Sequence, residues 1–217
     1  AINYAWDFEW TNKTLMYNAY KRTNSYFSNS ELSSSGRLPD GEELKILQKF
    51  KGQVPKQVFD EVYKAPQTDG SGNNRKNLIL ALKLLREAGW TVKDGKLINS
   101  KGIPLKFELL IAYPSIERLA LPLKQSLKRL GIEMSIRTVD VAQYQQRVDT
   151  FDFDMIVSSF GQSLSPGNEQ RDFWHSTNAN RPGSRNLIGI QEPVVDKLVE
   201  LVIESPDRES LISRTRA

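Results

Sequence analysis

The chain has 217 residues, 39% of them hydrophobic and 26% charged, which is typical of one large or two small globular domains. Its net charge of +4 is scattered among acidic residues and forms no basic stripe, which argues against a nucleic-acid partner. The absence of cysteine excludes disulfides and thiolate chemistry, and no apolar run is long enough to span a membrane. No secretory signal pattern opens the chain, and because both ends fall inside helical patterns we expect a fragment of a longer protein.

The first 75 residues are predicted to be helical and irregular. Helices are predicted over Asp7–Tyr20 and over Glu42–Phe50, the second one following Asp40 in a cap position. The first thirty residues are also rich in aromatic side chains, which we expect to pack in a core or at an interface between lobes. Stacking on a ligand is the alternative for these rings.

From residue 75 onwards, helices and strands alternate. A leucine-rich helix over Arg75–Ala88 ends at Gly89, and a hairpin follows that turns on Asp94-Gly95. The next segments predict strand, helix, strand, helix and strand, over residues 105–112, 115–131 (capped by Ser115), 132–140, 141–150 and 153–160. This order is typical of an α/β sheet whose parallel strands are joined by crossover helices.

A polar loop, "FGQSLSPGNEQRDFW" at residues 160–174, follows the third of these strands. Ligands of open α/β sheets collect at the carboxyl ends of the strands, and a loop this long is often functional. Between Phe160 and Trp174 it carries amides, hydroxyls and paired charges, among them Gln162, Ser163, Asn168, Glu169 and Arg171. These groups either bind a polar ligand or satisfy the backbone of the loop itself. Two further helices are predicted, over 192–205 and 207–216.

The sequence predicts no enzyme, no cofactor and no metal site. The only histidine is His175, and motifs for a nucleophile elbow, a phosphate loop or a zinc site are missing. A hydrolase that uses His175 with Ser176 or Asp172 is the alternative. A binding protein agrees better with this lack of catalytic motifs.

Long segments of the chain are similar to one known family. The segments are "YAWDFEWTNKTLMYNAYKRTNSYFSNSEL", "TDGSGNNR", "ALKLLREAGW", "FDFDMIVSSFGQSLSPGNEQRDFW" and "RPGSRNLIGIQEPVVDKL". They resemble the dipeptide- and oligopeptide-type extracellular solute-binding proteins of ABC importers (family five), especially their YejA-like branch. The resemblance implies an α/β, periplasmic-binding-protein-like (type II) lobe with a central mixed sheet flanked by helices. Residues 1–75 would lead in from the first lobe or hinge, and residues 76–217 would form the C-terminal ligand-binding lobe, incomplete at its C-terminal end.

The resemblance also implies a function. The full-length protein would be a periplasmic monomer that binds oligopeptides or microcin C-type compounds in a cleft between two lobes. It would deliver them to an ABC permease in the inner membrane. A non-peptide solute, such as a sugar or a metal chelate, is the alternative ligand.

Several site residues follow from the resemblance. Phe160 matches an aromatic residue of the family, and an acid that grips the peptide amino terminus would fall near Gln162 or Ser163, neither of which is acidic. Glu169 or Asp172 replaces that acid, or the ligand presents no free amine there. Tyr144 matches an aromatic residue that lines the cleft.

Two arginines are further candidates. The loop would form one wall of the cleft together with Arg185 and Asn186. Arg171 or Arg185 could hold a ligand carboxylate through a bidentate hydrogen bond. The alternative for each arginine is an internal ion pair with Glu169 or Asp172.

Overall fold

The computed structural model describes residues 1–217, which form two compact units. The first unit comprises residues 1–22, 65–147 and 152–158, and the second unit comprises residues 23–64, 148–151 and 159–217. None of the helices combines the length and the apolar character needed to cross a membrane. The division of the sequence at residue 75 into a lead-in segment and a lobe stays a prediction.

The first unit contains helices and all five strands of the chain. Its elements are α1 (Ile2–Ala5), α2 (Phe8–Leu15), α5 (Arg75–Glu87), β1 (Thr91–Lys93), β2 (Lys96–Ile98), β3 (Lys106–Ile111), α6 (Pro114–Arg129), β4 (Glu133–Thr138), most of α7 (Val141–Asp149) and β5 (Met155–Ile156). Strand β3 lies in the centre of a three-stranded sheet and pairs in parallel with β4 and with β5. The predicted strand–helix–strand–helix–strand order with parallel pairing is therefore confirmed.

The core of the first unit lies around β3. Its last three residues, Leu109, Leu110 and Ile111, are almost inaccessible to solvent, as expected for a central parallel strand that is covered on both faces. Leu127 of α6 and Met134 of β4 are buried in the same cluster. Burial of these side chains supplies hydrophobic free energy that stabilises the packing of the sheet against α6.

The β1–β2 hairpin forms as predicted. Asp94 and Gly95 have φ angles of 50° and 74°, which is the left-handed geometry of a tight two-residue hairpin turn. The Leu97 N–H donates to the carbonyl of Gly131, at 2.8 Å, and ties the hairpin to the segment that precedes β4. The α/β class is confirmed, with the parallel strands and the antiparallel hairpin in two separate sheets.

Several predicted boundaries were wrong. The predicted strand at 153–160 is reduced to Met155–Ile156, and helix α2 ends at Leu15, because Tyr17 and Asn18 adopt positive φ angles. Helix α6 begins at Pro114, with Tyr113 in the cap position predicted for Ser115. Proline is favourable in the first turn of a helix, because an N–H at that position would have no acceptor within the helix.

The second unit is mainly helical. Its elements are α3 (Gly41–Gln48), α4 (Gln57–Asp60), α8 (Glu169–Trp174), a 3-10 turn (Ser176–Asn178), α9 (Pro193–Ile203) and α10 (Arg208–Arg216). Helix α9 contacts both α8 and α10, and α10 contacts α3. The predicted loop at 160–174 was thus wrong in its second half, since α8 occupies Glu169–Trp174.

Candidate functional site

The second unit contains an open groove of about 690 Å³. It is lined by Thr23, Asn24, Ser25, Tyr26, Ser28, Asn29, Tyr63 and Phe160. None of these side chains is charged. Tyr26 and Tyr63 remain 56% and 61% exposed, so that their rings are available to a ligand. The groove therefore offers hydroxyl and amide groups beside aromatic faces.

The groove segment, Thr23–Asn29, is shaped by its own serines. Ser25 Oγ accepts a hydrogen bond from the Phe27 N–H at 3.1 Å, and Ser28 Oγ donates to the Ser25 carbonyl at 2.8 Å. Asn29 then adopts a φ of 65°, a left-handed conformation that Asn tolerates better than most residues. Such local side-chain bonds replace regular secondary structure and hold the turn that carries Tyr26.

Helix α10 fastens the residues directly after the groove segment from a distant part of the chain. Arg208 Nε donates to Glu31 Oε1 at 2.8 Å, and Arg216 Nε donates to the Glu31 carbonyl at 2.8 Å. Leu32, which follows, is 1% exposed and anchors this stretch. The stretch that directly follows the groove segment is thus held by α10 and by the burial of Leu32.

An aromatic cluster backs the groove. Phe160 stacks on Trp174 with ring centroids 5.1 Å apart, and Tyr26 contacts both rings, at 5.6 Å and 4.7 Å. Phe173 completes the cluster and is 2% exposed. Because α8 supplies Phe173 and Trp174, the unpredicted helix is what holds Phe160 at the groove.

A chain of hydrogen bonds runs behind these rings. Trp174 Nε1 donates to Gln170 Oε1 at 3.0 Å, and Gln170 Nε2 donates to Gln162 Oε1 at 2.7 Å. Gln170 is 4% exposed, and Gln162 Nε2 is enclosed without a hydrogen-bond partner. We call these three residues the glutamine relay.

The other polar residues of the predicted loop bond within the loop. Ser163 Oγ accepts from the Ser165 N–H at 3.1 Å, and Glu169 Oε1 accepts from the Gly167 N–H at 3.0 Å. Asn168 Oδ1 accepts from Arg171 Nη1 at 3.2 Å. These contacts agree with the alternative that the loop's polar groups satisfy its own structure.

Arg171 forms an internal ion pair, but with a different partner from those considered in the sequence. Its Nε donates to Glu200 Oε1 of α9 at 2.7 Å, and its Nη2 binds Glu200 Oε2. This hydrogen bonding lowers the pKa of Glu200 and raises that of Arg171. Asp172 pairs instead with Arg181, at 2.8 Å. The ion pair therefore joins α8 to α9 and already uses the bidentate edge of Arg171.

Arg185 and Asn186 lie in very different surroundings. The Arg185 guanidinium lies 4.2 Å from the ring centroid of Phe173, a cation–π contact that orients its plane. Asn186 is wholly buried, donates to the carbonyls of His175 and Ile190, and accepts from the Ile190 N–H. Its predicted place in a ligand-binding wall does not fit this burial, since its side chain fastens the 175–190 loop.

The residues of the alternative hydrolase do not form a catalytic pair. Ser176 Oγ donates to Asp196 Oδ2 at 2.5 Å, whereas His175 Nδ1 contacts Thr177. The nucleophile–base hydrogen bond that such a mechanism requires is therefore not the one formed here.

Tyr144 belongs to helix α7 in the first unit. Its hydroxyl donates to the Val157 carbonyl at 3.2 Å, and burial raises its pKa. It ties α7 to the segment that follows β5.

Sequence reasoning missed most of the groove. Tyr26, Tyr63 and the polar residues of the groove segment were not predicted as site residues, and only Phe160 was. The available signal was the aromatic-rich stretch in "RTNSYFSNS", where serine and asparagine surround two rings without helical or strand periodicity.

Comparison with known proteins places this geometry in a family. The model of bacterial extracellular solute-binding proteins, family 5 (middle region), matches residues 1–181. The probable peptide-binding protein YejA of Agrobacterium fabrum is 46% identical over the whole chain, which covers 35% of that protein. The chain spans about a third of the length of the curated relatives it matches.

Solved structures share the fold. The oligopeptide-binding protein AppA from Bacillus subtilis, in complex with a nonapeptide, matches with a TM-score of 0.67 and 22% identity over 99% of this chain and 37% of AppA. A periplasmic oligopeptide-binding protein of an ABC transporter from Thermotoga maritima, with bound mannohexaose, matches with a TM-score of 0.68 and 19% identity. This match covers 99% of the present chain and 36% of the Thermotoga chain. The predicted periplasmic-binding-protein-like lobe is confirmed.

Proposed function

Because this chain belongs to the bacterial extracellular solute-binding proteins of family 5, we propose that it is the part of an ABC-importer binding protein that contacts a peptide or peptide-like solute. The full-length protein works in the periplasm as a monomer, closes two lobes on its solute and delivers it to a permease in the inner membrane. Phe160, Gln162 and Arg185 are its contacts within the second unit.

One observation carries this proposal: the groove combines uncharged donors and acceptors with three aromatic rings. An extended peptide presents a backbone N–H and a carbonyl at each residue, and both need partners when water is removed. Hydroxyl and amide side chains supply both kinds of partner, while Tyr26, Tyr63 and Phe160 cover apolar side chains of the solute. The Agrobacterium relative described as a probable peptide-binding protein supports the same ligand class.

Isothermal titration calorimetry on the full-length protein tests the proposal. We expect peptides of three to nine residues to bind, and we expect Tyr63→Ala to weaken their binding by about fivefold to tenfold, because one stacking face is lost. Tyr63→Phe keeps the ring and is the matched control, so it should retain most of the affinity. Absence of binding by every peptide, or equal affinity of the alanine variant and the unchanged protein, would contradict the proposal.

A neutral oligosaccharide is the second candidate solute, favoured by the lack of charge in the groove. Sugar rings stack on aromatic faces and bond through hydroxyls, and the Thermotoga protein of the same fold holds mannohexaose. Titration with mannohexaose, alone and in competition with a peptide, distinguishes the two. Binding of mannohexaose without binding of any peptide would favour the saccharide.

A further inference from the structure

We propose that Gln162 determines which polar group of the solute is accepted beside the aromatic cluster: a hydrogen-bond acceptor, such as a carbonyl or carboxylate oxygen, and not an ammonium group. The inference rests on the proposed function, since it specifies one contact of the bound solute. It follows from the direction of the glutamine relay, which the chemistry of the three side chains fixes.

The direction begins at Trp174. An indole N–H can only donate, so the atom of Gln170 that lies 3.0 Å from Trp174 Nε1 must be the amide oxygen. This removes the ambiguity between oxygen and nitrogen that usually affects a glutamine side chain. The amide nitrogen of Gln170 therefore points away from Trp174.

Gln170 passes this direction on to Gln162. Its Nε2 donates to Gln162 Oε1 at 2.7 Å and contacts Glu169 Oε1 at 3.3 Å. Both acceptors are oxygens, in agreement with an outward amide nitrogen, and both N–H groups of Gln170 are used. Because Gln170 is 4% exposed, water cannot easily substitute for these partners.

Gln162 is left with a donor at the end of the relay. Its oxygen is occupied by Gln170, and its Nε2 is enclosed without any acceptor. An enclosed donor without a partner is unfavourable, and natural structures rarely keep one without a reason. A bound solute that supplies an oxygen would satisfy it, and the broad terminal torsion of a glutamine lets Nε2 shift towards that oxygen while Oε1 keeps its bond to Gln170.

The chain beside Gln162 leaves room for such an approach. Gly161 is exposed, and a Cβ atom built there would meet no atom within 4 Å. The preceding residue, Phe160, lines the groove itself. A solute held against Phe160 therefore has open space at Gly161, the residue between Phe160 and Gln162.

This polarity gives a specificity rule. A donor at position 162 attracts a carbonyl or carboxylate oxygen and repels an ammonium group, which has donors only. Replacing Gln162 by glutamate keeps the acceptor for Gln170 Nε2 but turns the outer group into an acceptor. Replacing Gln170 by glutamate removes the donor to Gln162, so that Gln162 turns its nitrogen inward and presents its oxygen.

The experiment compares two probes on the full-length protein by calorimetry: tri-alanine with a free amino terminus and N-acetyl-tri-alanine, which carries a carbonyl instead. We expect the unchanged protein to prefer the acetylated peptide by about tenfold, the size of effect expected for one hydrogen bond in a desolvated site. Gln162→Glu should reverse the order, and Gln170→Glu should shift it in the same direction. Gln191→Glu makes the same chemical change at an exposed position and should leave the order unchanged.

The outcomes separate this inference from the proposed function. Binding of both probes with the same order in the unchanged protein and in Gln162→Glu would overturn the role of Gln162 and leave peptide binding intact. Binding of neither probe or of any longer peptide would overturn the proposed function, and recognition at Gln162 with it. If Gln170→Glu does not fold, Gln162→Glu alone decides.

Discussion

Gly131 occupies a position in the first unit where a single methyl group should have a large effect. Its φ of 80° is left-handed, and an alanine Cβ would lie 2.7 Å from Leu97 N and 3.0 Å from the carbonyl carbon of Lys96. Both are backbone atoms, so no flexible side chain can move aside. Gly131→Ala must therefore displace the hairpin or the segment before β4.

The magnitude has two parts. The left-handed conformation costs an alanine about 1–2 kcal/mol. Displacement of the hairpin weakens the Leu97 N–H bond to the Gly131 carbonyl, and an unsatisfied buried backbone group adds about 1–3 kcal/mol. We expect Gly131→Ala to lower the free energy of unfolding by about 2–5 kcal/mol.

Gly89 provides the matched control, because it has a φ of 87° and an added methyl group would meet no atom within 4 Å there. Gly89→Ala should show only the conformational part. Urea unfolding followed by circular dichroism measures both variants, and in thermal melts the two should differ by about 2–12 °C. Equal stability of the two variants would refute the argument that the close approach to Leu97 matters.

Three other perturbations test separate contacts of the second unit. Arg185→Ala should weaken peptide binding to the full-length protein at least about tenfold, because the guanidinium oriented by Phe173 can bind a carboxylate of the peptide. An unchanged affinity by calorimetry would remove Arg185 from the site. Asn186→Ala should lower the free energy of unfolding by about 2–4 kcal/mol, because three hydrogen bonds of a buried side chain are lost. A urea midpoint equal to that of the unchanged protein would contradict the role of Asn186 in holding the 175–190 loop. Glu200 has a lowered pKa, so its contribution to stability is present above its unfolded pKa and is lost as the pH falls through the lower folded value. The urea midpoint should therefore fall less between pH 7 and pH 3 in Glu200→Gln than in the unchanged protein. Parallel curves of midpoint against pH would argue against this contribution.

The sheet of the first unit was predictable because its signals are local. Alternating and continuous apolar runs specify β3 and β4, and Gly89, Asp94-Gly95 and Gly131 mark the ends and turns with left-handed φ angles. The short length of β5 was not predictable, since the strand-forming residues of "FDMIVSSF" extend beyond Met155–Ile156 to Val157 and Phe160. Only pairing with β3 decides that two of them join the sheet.

The groove was less predictable because its parts are distant in sequence. Tyr26, Tyr63 and Phe160 meet only through tertiary contacts, and no periodic pattern links them. Helix α8 was missed for a related reason: "NEQRDFW" is polar on most sides, and what stabilises it is the burial of Gln170 and Phe173 together with the Arg171–Glu200 pair. Pattern reasoning could find Phe160 and Trp174 as flanking rings but not their stacking.

The contact between Glu31 and α10 has a consequence for the order in which the protein assembles. Arg208 and Arg216 lie 177 and 185 residues beyond Glu31, so Glu31 leaves the ribosome long before the helix that contacts it. Closing so long a loop is slow, and until it closes the residues directly after the groove segment lack the contacts that α10 supplies. In the newly made chain, Glu31 therefore lacks both of these contacts until α10 has been synthesised.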